Sequence, residues 1–307
     1  MSHLLDRRFW MVSGKGGVGK SATAAALALA SARRGRRTLI CEVNADERIP
    51  PLLGHAPVGP EVTRLEEHLW SVNLRPAEAM KEYVLMTLKL EALYRAVFEN
   101  RLVRSFLRFI PSIQELVLLG KATWHVRETD DRGRHVWDTV VLDGPATGHF
   151  VSFVSVPQVL MDTVPPGPIR RDAEIMRGLL VDPAITGAVL VALPEELPVT
   201  ETLELATSLR ERVSLPLVGG VLNTWVSERF DAGMFEQLSE WPRLKELARA
   251  QHAAAERSRW ALDKLQGHLG APVHKVPRIY SEQFGREQIE RMSRALEPLV
   301  AGSADHG

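Results

Sequence analysis

Phe9-Trp10-Met11-Val12-Ser13-Gly14-Lys15-Gly16-Gly17-Val18-Gly19-Lys20-Ser21 is the stretch on which the fold turns. Phe9 to Val12 is a short apolar strand candidate, and a glycine-rich turn follows it directly. An alanine-rich helix is then predicted from about residue 22 to 34. Its alanines, Ala24, Ala25, Ala26, Ala28 and Ala30, combine high helix propensity with side chains small enough to lie close on a sheet. Further apolar runs occur at 38–43, 70–74, 139–142, 187–193, 218–223 and 273–276, and helical segments separate most of them. Runs that are apolar throughout, rather than at every second residue, indicate parallel strands covered on both faces. The expectation is an α/β fold with a doubly wound, mostly parallel sheet. The alternation breaks at 76–127, which reads as two or three consecutive helices, with Pro111 and Gly120 as punctuation and Asp130-Asp131-Arg132-Gly133 as the closing turn. This is a helical insertion within one domain spanning 1–301, and the polar tail 302–307 is expected to be disordered.

Composition narrows the function. The 307 residues are 45% hydrophobic and 25% charged, an ordinary globular balance. Lys plus Arg and Asp plus Glu both number 38, so the basic excess that dominates nucleic-acid binding is missing and no nucleic-acid partner is expected. The single cysteine, Cys41, excludes an internal disulfide and a Cys-x-x-C metal site made by one chain, and it reads as a small core residue. Met1 to Val12 has no apolar signal core and no 18-residue uncharged apolar run follows, which predicts a cytoplasmic protein without stable membrane insertion. Arg33, Arg34, Arg36 and Arg37, around Gly35, read as cations complementing the end of the first helix.

The turn carries the clearest chemistry. Gly14-x-x-x-x-Gly19-Lys20-Ser21 fits the phosphate-binding P-loop pattern, and it follows a strand and precedes a helix as that chemistry requires. Glycines let successive backbone N–H groups curl around phosphate oxygens, and the helix N-terminus adds partial positive charge. Lys20 would reach the β- and γ-phosphates, and the Ser21 hydroxyl would coordinate magnesium. Gly14, Lys15, Gly16, Gly17, Val18, Gly19, Lys20, Ser21 and Ala22 are therefore candidate ATP-binding residues.

With a second lysine early in the loop, Lys15, the sequence resembles the deviant Walker-A ATPases, the group of the arsenite pump, tail-anchored-protein targeting, MinD and ParA. The resemblance implies a P-loop NTPase fold of the SIMIBI type. In that group the signature lysine crosses a nucleotide-sandwiched dimer interface, so Lys15 implies a homodimer or a heterodimer with a paralogue. The later motifs look like the arsenite-pump and guided-entry branch. Asp143-Gly144-Pro145-Ala146-Thr147-Gly148-His149 is similar to its switch II sequence, D-T-A-P-T-G-H, with Gly148 and His149 at the hinge. An aspartate at a strand end suits water-mediated magnesium binding, the role the resemblance gives Asp143.

Pro194-Glu195-Glu196-Leu197-Pro198-Val199-Thr200-Glu201-Thr202 resembles the branch's P-E-x-L-x-x-x-E-T helix start, although Thr200 or Thr202 reads equally as a local cap and the acids as dipole partners. Asn223 matches the asparagine that reads the adenine edge. Val276-Pro277-Arg278-Ile279-Tyr280-Ser281-Glu282-Gln283-Phe284-Gly285 looks like the loop that closes over the base, which makes Pro277 and Arg278 nucleotide-binding candidates.

The pattern also departs from the family. The aspartate that orients attacking water lies in a T-D-P-A-H sequence after the second strand, whereas Cys41-Glu42-Val43-Asn44-Ala45-Asp46-Glu47-Arg48 places Asn44 there. Neutral asparagine can hydrogen-bond water but cannot take its proton, and losing such a group typically costs ~10²- to 10⁴-fold in rate. Slow hydrolysis is expected. Glu42 is a candidate magnesium-side acid, as in the D-x-D arrangement of the MinD and ParA relatives, and Asp46 is a substitute if the loop shifts; both also read as solvated loop acids. The thiolates of the arsenite branch and the zinc clamp of the eukaryotic targeting branch have no counterpart beside the lone Cys41.

These features favour a magnesium-dependent, dimeric ATPase that couples nucleotide state to a hydrophobic or protein client through the insertion. Met80, Met86, Phe98, Phe106, Phe109 and the Leu116 to Leu119 run are candidates for an adaptable groove, and burial in the core explains the same residues. One alternative is a nucleotide-dependent switch or scaffold with little hydrolysis, suggested by Asn44. Another is a MinD- or ParA-like positioning ATPase. A membrane-targeting helix would have to use the stripe Ile289, Met292, Leu296 and Leu299, for which packing on the sheet is the simpler use.

Overall fold

The computed structural model describes residues 3–43, 46–88, 111–230 and 233–301. Its strands are β1 (Phe9–Gly14), β2 (Thr38–Val43), β3 (Thr63–Glu66), β4 (Leu69–Leu74), β5 (Thr139–Ala146), β6 (Thr186–Ala192), β7 (Leu217–Trp225) and β8 (Val273–Pro277). They form one sheet in the order β3-β4-β2-β5-β1-β6-β7-β8, and every neighbouring pair is parallel except β3 and β4. The helices in chain order are α1 (Lys20–Ala32), α2 (Ile49–Leu52), α3 (Pro76–Leu88), α4 (Pro111–Arg127), α5 (Thr147–Thr163), α6 (Pro168–Val181), α7 (Glu196–Ser208), α8 (Met234–Gln237), α9 (Pro242–His268), α10 (Arg286–Ala295) and α11 (Glu297–Ala301).

The continuous apolar runs fill two cores, because successive residues of a strand point to opposite faces. Phe9, Met11, Leu39, Cys41, Val140 and Leu142 pack on one side against Leu116, Leu119, Phe150 and Leu205, from α4, α5 and α7. Trp10, Val12, Ile40 and Val141 pack on the other against the alanines of α1 and against Ile289 and Met292 of α10. Burying Leu27 and Leu29 of α1 contributes about 1.5–3 kcal/mol each, and the alanines around them let the helix sit close enough to do so.

Several boundaries differ from the expectation. β1 continues to Gly14 because Ser13 and Gly14 go on pairing with Leu190 and Val191 of β6. α1 begins at Lys20, so the candidate phosphate-binding lysine and serine already form its first turn, and it ends at Ala32. Arg33 and Arg34 pair with Glu290 and Glu297 of the C-terminal helices, and Arg36 and Arg37 turn toward Asp138, so this cluster does more than complement a helix end. β3 has no counterpart among the predicted runs: its four residues are exposed or half-buried, so no apolar pattern announces it.

The insertion has helices at both described flanks, α3 and α4. Leu116, Val117, Leu118 and Leu119 are all buried; Leu116, Leu118 and Leu119 join the core against the sheet, whereas Val117 lines a small cavity with Ala79, Gly120 and Trp124. Phe98, Phe106 and Phe109, the Met86 side chain and the tail 302–307 lie outside the described residues. Ile289, Met292, Leu296 and Leu299 are buried on the sheet, as packing predicts. No described helix is long and apolar enough to cross a membrane.

Candidate nucleotide site

The site lies at the C-terminal ends of β1, β2 and β5, three adjacent strands of the sheet. The turn from β1 to α1 needs its glycines. Gly14 has φ +155°, and a Cβ there would lie 2.3 Å from the Val191 carbonyl oxygen; Gly19 has φ +94°, and a Cβ there would lie 2.4 Å from the Asn223 amide nitrogen. Cβ positions built at Gly16 and Gly17 meet nothing within 4 Å, so the outer rim of the loop borders open space, as a phosphate cradle must. Lys20 Nζ donates to the carbonyl oxygen of Lys15 at 3.0 Å and so lies across the loop. Burial holds its ammonium below the ordinary lysine range, against the raising effect of Asp143.

Ser21 Oγ donates to Asp143 Oδ2 at 2.6 Å, joining the start of α1 to β5. Asp143 faces Glu42 in the register of β5 and β2. Glu42 Oε1 accepts the backbone N–H groups of Arg48 and Ile49 at 2.7 and 3.1 Å. Asp143 Oδ1 and Glu42 Oε2 are buried without a hydrogen-bond partner among the described residues. Burial pushes Asp143 up to about 6, opposed by the Ser21 hydrogen bond and the charges of Lys20 and Arg48. It pushes Glu42 up to about 7, opposed by the two backbone N–H groups and reinforced by Asp143 and Glu47.

These carboxylates, Lys20, Ser21, Asp46 and Arg48 line an open cavity of about 320 Å³. Buried, unpartnered carboxylate oxygens are costly unless something meets them, and a hard divalent cation takes oxygen ligands of this kind. The residues present therefore fit magnesium, with Ser21, Asp143 and Glu42 as its candidate holders. Asn44 and Ala45 lie outside the described residues.

Asn223 lies within β7, and its Nδ2 donates to the Val18 carbonyl oxygen at 2.9 Å while its Oδ1 accepts the N–H of Thr224. It braces the phosphate loop, a contact that sequence reasoning missed, and one amide hydrogen and one oxygen lone pair are left for a base edge. Pro277 pairs with Trp225, and the Arg278 N–H donates to the Trp225 carbonyl oxygen at 2.8 Å, so β8 delivers the segment after it to the same corner as Asn223. Tyr280 and Phe284 on that segment are exposed.

Lys15 is not free. Its Nζ lies 2.9 Å from Glu201 Oε1 of α7, and the other oxygen of Glu201 accepts from Thr147 Oγ1 at 3.4 Å. The helix-start motif thus supplies a carboxylate that links the signature lysine to the segment after Asp143. The spacing of Glu201 from Pro194 identified the motif, but nothing local in the sequence tells Lys15 from any other cation as its partner. Arg48 is the second residue missed; its place six positions after Glu42 becomes informative only once α2 folds the chain back.

The sequence model of the anion-transporting ATPases matches residues 7–165. The chain is 33% identical over 227 residues to the ATPase BagA of Mycobacterium tuberculosis, covering 72% of this chain and 66% of that one. It is 27% identical over 296 residues to the arsenical pump-driving ATPase of Escherichia coli, covering 92% of this chain and 43% of that one. The chain thus spans less than two thirds of the first of these relatives and less than half of the second. With a family match that runs from residue 7, ahead of β1, to residue 165, just beyond α5, this chain belongs to the anion-transporting ATPase family.

Proposed function

We propose that the chain is a magnesium-dependent ATPase that dimerises around ATP and couples its nucleotide state to a hydrophobic or protein client. The observation that carries this reading is the Ser21–Asp143 contact, with an unpartnered carboxylate oxygen beside it, in the cavity that Lys20 also lines. Magnesium, when bound, neutralises charge on the β- and γ-phosphates. The protein's own part is to position. Lys20 exchanges the Lys15 carbonyl for phosphate oxygens, the loop N–H groups orient the chain of phosphates, and Asp143 and Glu42 hold their oxygens at the buried end. The family resemblance supports Lys15 as the residue that reaches a second protomer. A cargo held by several thiolates is not what one chain with a single, buried cysteine carries. The client reading rests on the apolar residues of 76–127 other than Leu116, Leu118 and Leu119, which are core.

The second reading, a switch that holds ATP and hydrolyses little, is favoured by Asn44. Single-turnover measurements separate the two. Slow product formation by the wild type, raised ~10²- to 10⁴-fold in Asn44→Asp and abolished in Lys20→Ala, supports the ATPase. Tight ATP retention without product supports the switch. Hydrolysis that survives Lys20→Ala unchanged removes the site assignment altogether. A MinD-like role is disfavoured because the stripe it would need is buried on the sheet.

A further inference from the structure

The opposite edge of the sheet carries a second charged site. Arg8 immediately precedes β1, Arg36 and Arg37 immediately precede β2, and Asp138 immediately precedes β5; these strands are neighbours, so their first residues meet. Together with Arg134 and His135 they line an open cavity of about 360 Å³. A six-residue strand is about 20 Å long, so this cavity is separate from the phosphate loop at the other ends of the same strands.

Its charges do not balance locally. Arg134 is paired with Asp130, at 3.0 and 2.8 Å, and Arg37 with Asp138, through its backbone N–H at 2.8 Å and its guanidinium at 3.4 Å. Among the described residues Arg36 donates only to neutral acceptors, Thr139 Oγ1 at 2.9 Å and the Asp138 carbonyl oxygen at 2.6 Å. The Arg8 guanidinium has no hydrogen bond or ion pair among the described residues. Four guanidiniums thus meet two carboxylates. His135 adds a buried Nδ1 without a partner among the described residues. Burial, and then the mutual repulsion of Arg8 and Arg36, holds Arg8 below the usual arginine range even though Asp138 pulls it upward.

Clustered, partly desolvated guanidiniums with two charges left over suit a doubly charged oxyanion, because the planar fork matches tetrahedral oxygens and a fixed cluster has already met the cost of bringing like charges together. We propose that Arg8, Arg36 and Arg37 form a binding site for a phosphate-type dianion at the N-terminal edge of β1, β2 and β5. The cavity takes a single phosphate group, either the free ion or a phosphate monoester. It does not present a track for a polyanion, in keeping with the chain's zero net charge.

Calorimetric titration of inorganic phosphate at constant ionic strength tests this, carried out in the Lys20→Ala variant so that the phosphate loop contributes little. One equivalent is expected to bind, at least ten-fold more weakly when Arg8→Gln is added and with intermediate affinity when Arg8→Lys keeps the charge but loses the fork. Stronger binding of glycerol 3-phosphate than of phosphate assigns the site to a monoester, and equal or weaker binding assigns it to the free ion. ATP affinity unchanged in Arg8→Gln with Lys20 intact shows that the variant is folded. In the wild type, phosphate should also slow the reaction of Arg8 with phenylglyoxal, mapped by mass spectrometry. Phosphate uptake indifferent to Arg8→Gln, or Arg8 modification indifferent to phosphate, overturns the proposal.

Discussion

Replacing Glu201 by glutamine should make ATP-driven dimerisation tighter. Glu201 holds Lys15 at 2.9 Å, with the two side chains 29% and 27% exposed, so the pair is partly screened by solvent. Ion pairs of that exposure contribute about 0.5–1 kcal/mol. If Lys15 leaves Glu201 to reach across to a second protomer, each dimer breaks two such contacts, a penalty of about 1–2 kcal/mol. Removing it corresponds to a 5- to 30-fold tighter dimer, at about 1.4 kcal/mol per decade. Glutamine keeps the shape and can still accept from Thr147, so the change isolates the charge.

Sedimentation velocity over a protein concentration series, with magnesium and a slowly hydrolysed ATP analogue, reads the dimer constant directly. Added salt should shrink the difference between wild type and Glu201→Gln, and the double variant with Lys15→Ala should gain nothing over Lys15→Ala alone. A Glu201→Gln dimer as weak as that of Lys15→Ala would place Glu201 among the contacts of the assembled state. That outcome, or an unchanged constant, refutes the idea that Glu201 restrains Lys15.

Lys20→Ala should lower ATP affinity at least about 100-fold, since charge-assisted contacts of this kind are worth about 1.5–3 kcal/mol each; calorimetry measures it, and an unchanged melting temperature excludes unfolding as the cause. Gly14→Ala should destabilise the fold by about 2–4 kcal/mol in urea unfolding, because its φ of +155° disfavours any side chain and the added carbon would sit 2.3 Å from the Val191 oxygen. The Glu47 carboxyl is pushed up by burial but held below its ordinary range by the Gly59 N–H, the Asn73 amide, the Val58 N–H and the Arg75 charge. Its stabilising contribution is therefore complete above the unfolded value, about 4.3, and is lost as pH falls through the lower folded value; the slope of stability against pH from 5 downward should flatten in Glu47→Gln.

The central sheet was legible because parallel strands covered on both faces must be apolar throughout, and the runs at 38–43, 70–74 and 139–142 fall within the observed β2, β4 and β5. β3 was not legible: an exposed four-residue edge strand owes its existence to its pairing with β4, not to its own side chains. In the site, Ser21 and Asp143 were readable as separate motifs, and their meeting at 2.6 Å follows from the adjacency of β1 and β5, which sequence order does not give. Glu201 and Lys15 lie 186 positions apart, and their contact needed the placement of α7. The four arginines after α1 show the same limit: read locally they complement a helix end, whereas in the fold two reach the C-terminal helices and two reach Asp138.

Cys41 has a practical consequence. It is fully buried in β2, and burial pushes its thiol far above the range at which alkylating reagents find thiolate. A cysteine introduced on the surface would therefore be the one thiol that maleimide or nitroxide labels reach in the folded protein. Distances between protomers of the proposed dimer can then be measured in a chain that keeps its native sequence everywhere but at the labelled position.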